Sequence, residues 1–118
     1  IYKIAYKDKS LVYATDTEGY VGANKKLVLF ARDTDLLIHD AQYTSEEYLN
    51  AYFSKQGYGH STFDMALETF SQAKAKSLAF FHFDPNYNDE FLLEIENHYT
   101  ENCKNCFIPK EGQEIVLR

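Results

Sequence analysis

Cysteine and proline are scarce in this chain of 118 residues, two of each, and tryptophan is absent. The two cysteines form one CxxC, Cys103-Lys104-Asn105-Cys106, with no second CxxC to complete a four-ligand zinc site. Incidental thiols, zinc ligation with His98, and redox chemistry all stay open for them. With two prolines and five glycines there is no Pro/Gly-rich linker, so no domain boundary is expected. No apolar run approaches the roughly 20 residues of a membrane-spanning helix, so no membrane partner is expected. No charged-then-apolar leader opens the sequence, which makes the cytoplasm the expected location. Basic charge is also in deficit: 12 Lys and Arg stand against 18 Asp and Glu, for a net charge of −6. Gripping phosphate backbones over a wide surface draws on Lys and Arg, and the scattered lysines here form no stripe. Phosphate chemistry itself stays open, because a metal can handle local charge.

What is present suits a packed domain. Apolar residues make up 45% of the chain and aromatics 16%. A chain of this length buries roughly 65% of its unfolded surface. Tyr2–Tyr6 and Leu11–Thr15 read as a hairpin turning at Asp8-Lys9-Ser10. Lys25–Arg32 fits either a short helix or a strand, and Asp35–His39 a short buried strand. Ser45 is placed to cap a helix running through Phe53, and Ser61 with Asp64 resembles a capping box. Phe63, Ala66, Leu67, Phe70 and Ala73 fall at helical spacing. Ser77–Phe83 reads as a strand, Asn88 as the cap of a helix, and Glu114–Leu117 as a closing strand. The order β-β-(α)-β-α-α-β-α-β predicts an α/β layer fold in a single domain.

Three apolar runs each end in a chemically able side chain. Leu11–Thr15 leads into Asp16, Leu36–Ile38 into His39 and Asp40, and Leu78–Phe81 into His82. In open α/β sheets the ligand crevice lies beyond the C-terminal strand ends. Parallel neighbouring strands would therefore gather Asp16, Asp40 and His82 at one edge. Asp16 has two oxygens that can bridge hard cations, or it can cap its own loop. His82 suits zinc, iron or manganese, or a hydrogen-bonded core position. His60 follows Gly57-Tyr58-Gly59. Paired with Asp40 it can act as a general acid, or it can cap the next helix while Asp40 meets a lysine. His39 should point to the opposite strand face from Asp40 and serve structure, and His98 has no assigned role. Tyr43 and Tyr87 read as core aromatics that can also line a cleft.

Leu36-Leu37-Ile38-His39-Asp40-Ala41-Gln42, Gly59-His60-Ser61-Thr62 and Phe81-His82-Phe83-Asp84-Pro85-Asn86-Tyr87 resemble, in order, segments of the metallo-β-lactamase fold. Within it the likeness is to the ribonuclease Z-like phosphodiesterase branch, and Glu111-Gly112-Gln113-Glu114-Ile115 resembles that family's end. The resemblance implies the C-terminal half of an αβ/βα sandwich with a mixed sheet and flanking helices. It implies Asp16 as a metal-bridging carboxylate, His82 as a ligand of the second metal, and His60, held by Asp40, as catalytic proton donor. It implies a divalent pair, zinc first, with iron or manganese as alternatives. The family's HxHxDH ligand cluster is not in the sequence, so the metal set is incomplete and the isolated chain is expected to be inactive. Asn86 stands where ribonuclease Z has Arg, and Asp40 where it has Glu. With the acidic charge, this points to a small phosphodiester or ester substrate ahead of nucleic acid. The expected partners are a missing N-terminal half or a second copy in a homo-oligomer. The competing expectation is a non-catalytic interaction or scaffold module that retains half the fold.

Overall fold

A computed structural model describes residues 1–20 and 22–118. Five strands make one sheet in the order β1-β2-β3-β4-β5: β1 Tyr2–Tyr6, β2 Lys9–Ala14, β3 Leu36–Asp40, β4 Leu78–Phe81 and β5 Cys106–Phe107. β1 and β2 form the expected antiparallel hairpin, and β2 through β5 run parallel. Four helices connect them: α1 Lys25–Phe30, α2 Ser45–Tyr48, α3 Phe63–Ala73 and α4 Asp89–Thr100. The observed order follows the predicted one through α4, but the last strand is Cys106–Phe107 and not the predicted Glu114–Leu117.

Strand alternation sorts the sheet into two unlike faces. Val12, Ala14, Leu37, Leu78 and Phe80 turn to one side and pack against Leu27, Val28 and Ala31 of the α1 region and Phe63, Ala66 and Ala73 of α3. α4 joins this layer through Tyr99, whose ring lies 5.7 Å from that of Phe63 and 5.3 Å from that of Phe80. His39 is on this side too, fully buried, its Nδ1 2.8 Å from the Asp40 carbonyl. Burial holds its imidazole below the ordinary histidine pKa. It serves the core, as expected. The opposite face carries Tyr2, Ile4 and Tyr6, which are 71%, 59% and 73% exposed. No helix of the described residues covers that face; Leu117 reaches a shallow cleft beside Ile4 and Leu11.

Local chemistry corrects several sequence boundaries. Lys25–Arg32 resolves as helix because the Asn24 side chain accepts the amides of Lys26 and Leu27. α2 is capped by Thr44, not Ser45, and stops at Tyr48 rather than Phe53. The Asn50 side chain accepts the Tyr52 and Phe53 amides and so diverts the backbone from helix. Thr62, not Ser61, caps α3 by accepting the Met65 amide. Ser61 is committed elsewhere: its hydroxyl donates to the Thr17 carbonyl and accepts from the Gly19 amide. Glu114–Leu117 forms no strand, because β5 already occupies the edge beside β4 and residues 114–116 stay exposed. Cys103 and Cys106 are joined as a disulfide, which removes the free-thiol and zinc readings of that pair.

Candidate metal centre

The parallel run β2-β3-β4 brings three strand ends to one edge. Asp16 lies two residues past β2, Asp40 is the last residue of β3, and His82 is the first residue past β4. Asp16 and His82 both adopt left-handed backbone, with φ of 51° and 62°. For a residue with a Cβ this costs about 1–2 kcal/mol, so the surrounding loops must enforce it. The bend turns each side chain across the strand ends instead of along its own strand.

Asp40 organises the interior of the site. It is fully buried, and its Oδ2 lies 2.8 Å from His60 Nδ1. Its Oδ1 accepts the amides of Ser61 at 3.1 Å and Gln42 at 3.2 Å. This fixes the His60 ring and leaves Nε2 out of that bond. The Tyr43 ring meets the His60 ring edge-on, with centroids 6.2 Å apart. Burial first, then the carboxylates of Asp84 and Asp40, push the Tyr43 hydroxyl pKa upward.

His82 stacks on His60 with centroids 5.0 Å apart and planes 14° from parallel. Its Nε2 is 3.5 Å from Asp16 Oδ1, and its Nδ1 is 3.8 Å from Asp40 Oδ2. That Nδ1 is buried without a hydrogen-bond partner. One donor atom from each of Asp16, His60 and His82 lies within 4.8 Å of the other two. Two ligands each about 2.0–2.1 Å from a tetrahedral ion sit about 3.3–3.5 Å apart, so the Asp16–His82 spacing fits a shared cation. Imidazole nitrogen with carboxylate oxygen suits zinc, iron or manganese. The loop-capping alternative for Asp16 finds no backbone amide on its side chain among the described residues. Asp84 starts the turn before Pro85, its Oδ1 accepting the Asn86 amide.

Glu18 went unnoticed in the sequence. It is buried, and its carboxylate accepts the amides of Gly57 and Gly59, each at 3.0 Å, and the Tyr48 hydroxyl at 2.6 Å. Burial opposes its charge, yet these donors outweigh that and hold its pKa below the ordinary glutamate value. Burial and the Glu18 hydrogen bond push the Tyr48 hydroxyl up to about 12. No spacing rule could have found contacts made across 39 and 41 residues.

Comparison with known proteins bears on the fold. No family model matches the chain. The ribonuclease Z of Pyrococcus furiosus is 34% identical over 108 residues, 91% of this chain and 31% of that protein. That of Thermococcus sibiricus is 37% identical over 110 residues, 93% of this chain and 32% of its own length. Among solved structures, the metallo-β-lactamase fold protein YhfI from Bacillus subtilis superposes with a TM-score of 0.71 at 18% identity, covering 94% of this chain and 41% of YhfI. The chain has the metallo-β-lactamase fold. Human tRNase Z, short form, has the same fold, with a TM-score of 0.66 at 20% identity over 98% of this chain and 36% of that structure. The chain spans about a third of the length of the curated relatives it matches, corresponding to the C-terminal portion of those ribonucleases Z.

Proposed function

We propose that these residues form one wall of the active centre of a metal-dependent phosphodiesterase whose substrate is RNA or a smaller phosphodiester. The observation that carries this is the meeting of Asp16, His60 and His82, from three separate segments, with donor atoms within 4.8 Å. Asp16 and His82 are the metal ligands of this wall, with zinc, iron or manganese as the ion. When bound, such ions activate water and offset charge on the phosphoryl oxygens. His60 supplies the proton to the leaving oxygen, with Asp40 fixing the ring.

The names of the sequence relatives favour RNA as the substrate class. The net charge of −6 and Asn86 in place of an arginine favour a short or small phosphodiester over extended backbone contacts. Two ligands, Asp16 and His82, leave an ion short of a full set. Its remaining ligands come from another part of the fold, seated over the exposed face that carries Tyr2, Ile4, Tyr6 and Phe81.

The test is metal content and turnover of an aryl phosphodiester and an RNA oligonucleotide, with the chain alone and with the N-terminal portion of a ribonuclease Z relative added. Stoichiometric metal and turnover in the mixture, lost in Asp16→Ala and His82→Ala, support the reading. Turnover unchanged in both variants overturns the site assignment. A well-folded mixture without metal or turnover favours a non-catalytic scaffold.

A further inference from the structure

We propose that Glu18 is a positioning residue that sets the distance between the Asp16 loop and His60, an inference that rests on the proposed role of His60. Glu18 lies two residues beyond Asp16, and its carboxylate grips the loop that ends in His60. Gly57 and Gly59 of that loop donate their amides to Glu18, each 3.0 Å from Oε1, with Gly57 also 3.0 Å from Oε2. Both glycines adopt left-handed backbone, φ 84° and 85°, which turns two nearby N–H groups toward a single acceptor. Tyr48, the last residue of α2, closes the grip from the other side through its hydroxyl. A second tie runs parallel: the Ser61 hydroxyl donates to Thr17 and accepts from Gly19.

Residues 17–19 are thus fastened to residues 57–61 on both sides of His60 by side chains that contact neither Asp16 nor His82. Burying a carboxylate is unfavourable unless its oxygens are satisfied. Here both oxygens are satisfied by the loop that carries the imidazole. Without the clamp, residues 57–59 lose their tie to the Asp16 loop, and His60 is held only from its other side, by Asp40, the Ser61 bonds and its ring contacts. The clamp works by shape. Gln can replace Glu at this position, because its carbonyl still accepts both glycine amides while its NH2 meets the Tyr48 hydroxyl.

The test compares Glu18→Ala with Glu18→Gln by NMR on the chain itself, reading amide exchange at Gly57 and Gly59 and the ring signals of His60. In Glu18→Ala, exchange at both glycines should rise about tenfold or more, the scale of a released loop. The His60 ring signals should shift or broaden, while His39 and the strand amides hold. In Glu18→Gln both readouts should return towards the parent. Unchanged glycine exchange in Glu18→Ala overturns the clamp, and released glycines with unmoved His60 signals overturn its positioning role. If Glu18→Ala unfolds, Tyr48→Phe, which removes one hydroxyl, must still move the His60 ring signals or the inference fails. None of these readouts needs turnover, so a failed phosphodiesterase assay leaves them decisive.

Discussion

Asp40 allows stability and chemistry to be separated at a single residue. Asp40→Ala strips the acceptor from the buried Ser61 amide, the partly buried Gln42 amide and His60 Nδ1. A buried donor left without a partner costs about 1–3 kcal/mol. The Gln42 amide recovers part of its loss from water, so the two amides together cost about 2–4 kcal/mol. Against a usual domain stability of about 5–15 kcal/mol, that is a large fraction. Asp40→Asn has nearly the same shape and keeps a carbonyl oxygen for both amides. Its loss should be about 1 kcal/mol. It does, however, present an N–H to His60 Nδ1, which forces the other ring tautomer. If His60 has its proposed proton-donor role, that change lowers phosphodiester turnover by about 10²–10⁴-fold. Urea unfolding at constant m-value measures the first quantity, and phosphodiester turnover the second. The reasoning is refuted if Ala and Asn destabilise equally, or if Ala costs under about 1 kcal/mol.

Further expectations come from other parts of the molecule. At His82, where φ is 62°, Gly should be at least as stable as Ala in a thermal melt, by up to about 1 kcal/mol, although neither can bind metal. His39 is held neutral by burial, so the unfolded chain takes up a proton that the folded chain refuses. Stability should therefore fall as pH drops below about 6.5, and His39→Leu should flatten that slope in urea titrations at several pH values. Reducing Cys103–Cys106, which closes a loop across a sequence separation of 3, should lower stability by about 2 kcal/mol at most. Urea midpoints with and without dithiothreitol check this.

The parts of this fold legible in sequence are those written by local pattern. The runs Leu11–Thr15, Asp35–His39 and Ser77–Phe83 read as strands, and the spacing from Phe63 to Ala73 as α3. Asp16, Asp40 and His82 were legible because they sit at strand ends, where a parallel sheet must gather them. What stayed hidden depends on distant partners. Ser61 looks like a cap until Thr17 and Gly19 claim its hydroxyl. Glu18 reads as a loop residue until Gly57, Gly59 and Tyr48 converge on it. The two-residue β5 escaped because a segment that short carries no periodicity, while Glu114–Leu117 has strand composition but pairs with no strand.

The most direct test of the centre is an isotope-labelled chain titrated with Mn2+, whose paramagnetism broadens nearby nuclei. Signals of Asp16, His60 and His82 should broaden first, and the Asp16→Ala, His82→Ala double variant should lose that effect. Broadening centred on another acidic patch, such as Asp64 and Glu68, or broadening that survives the double variant, would contradict the metal centre.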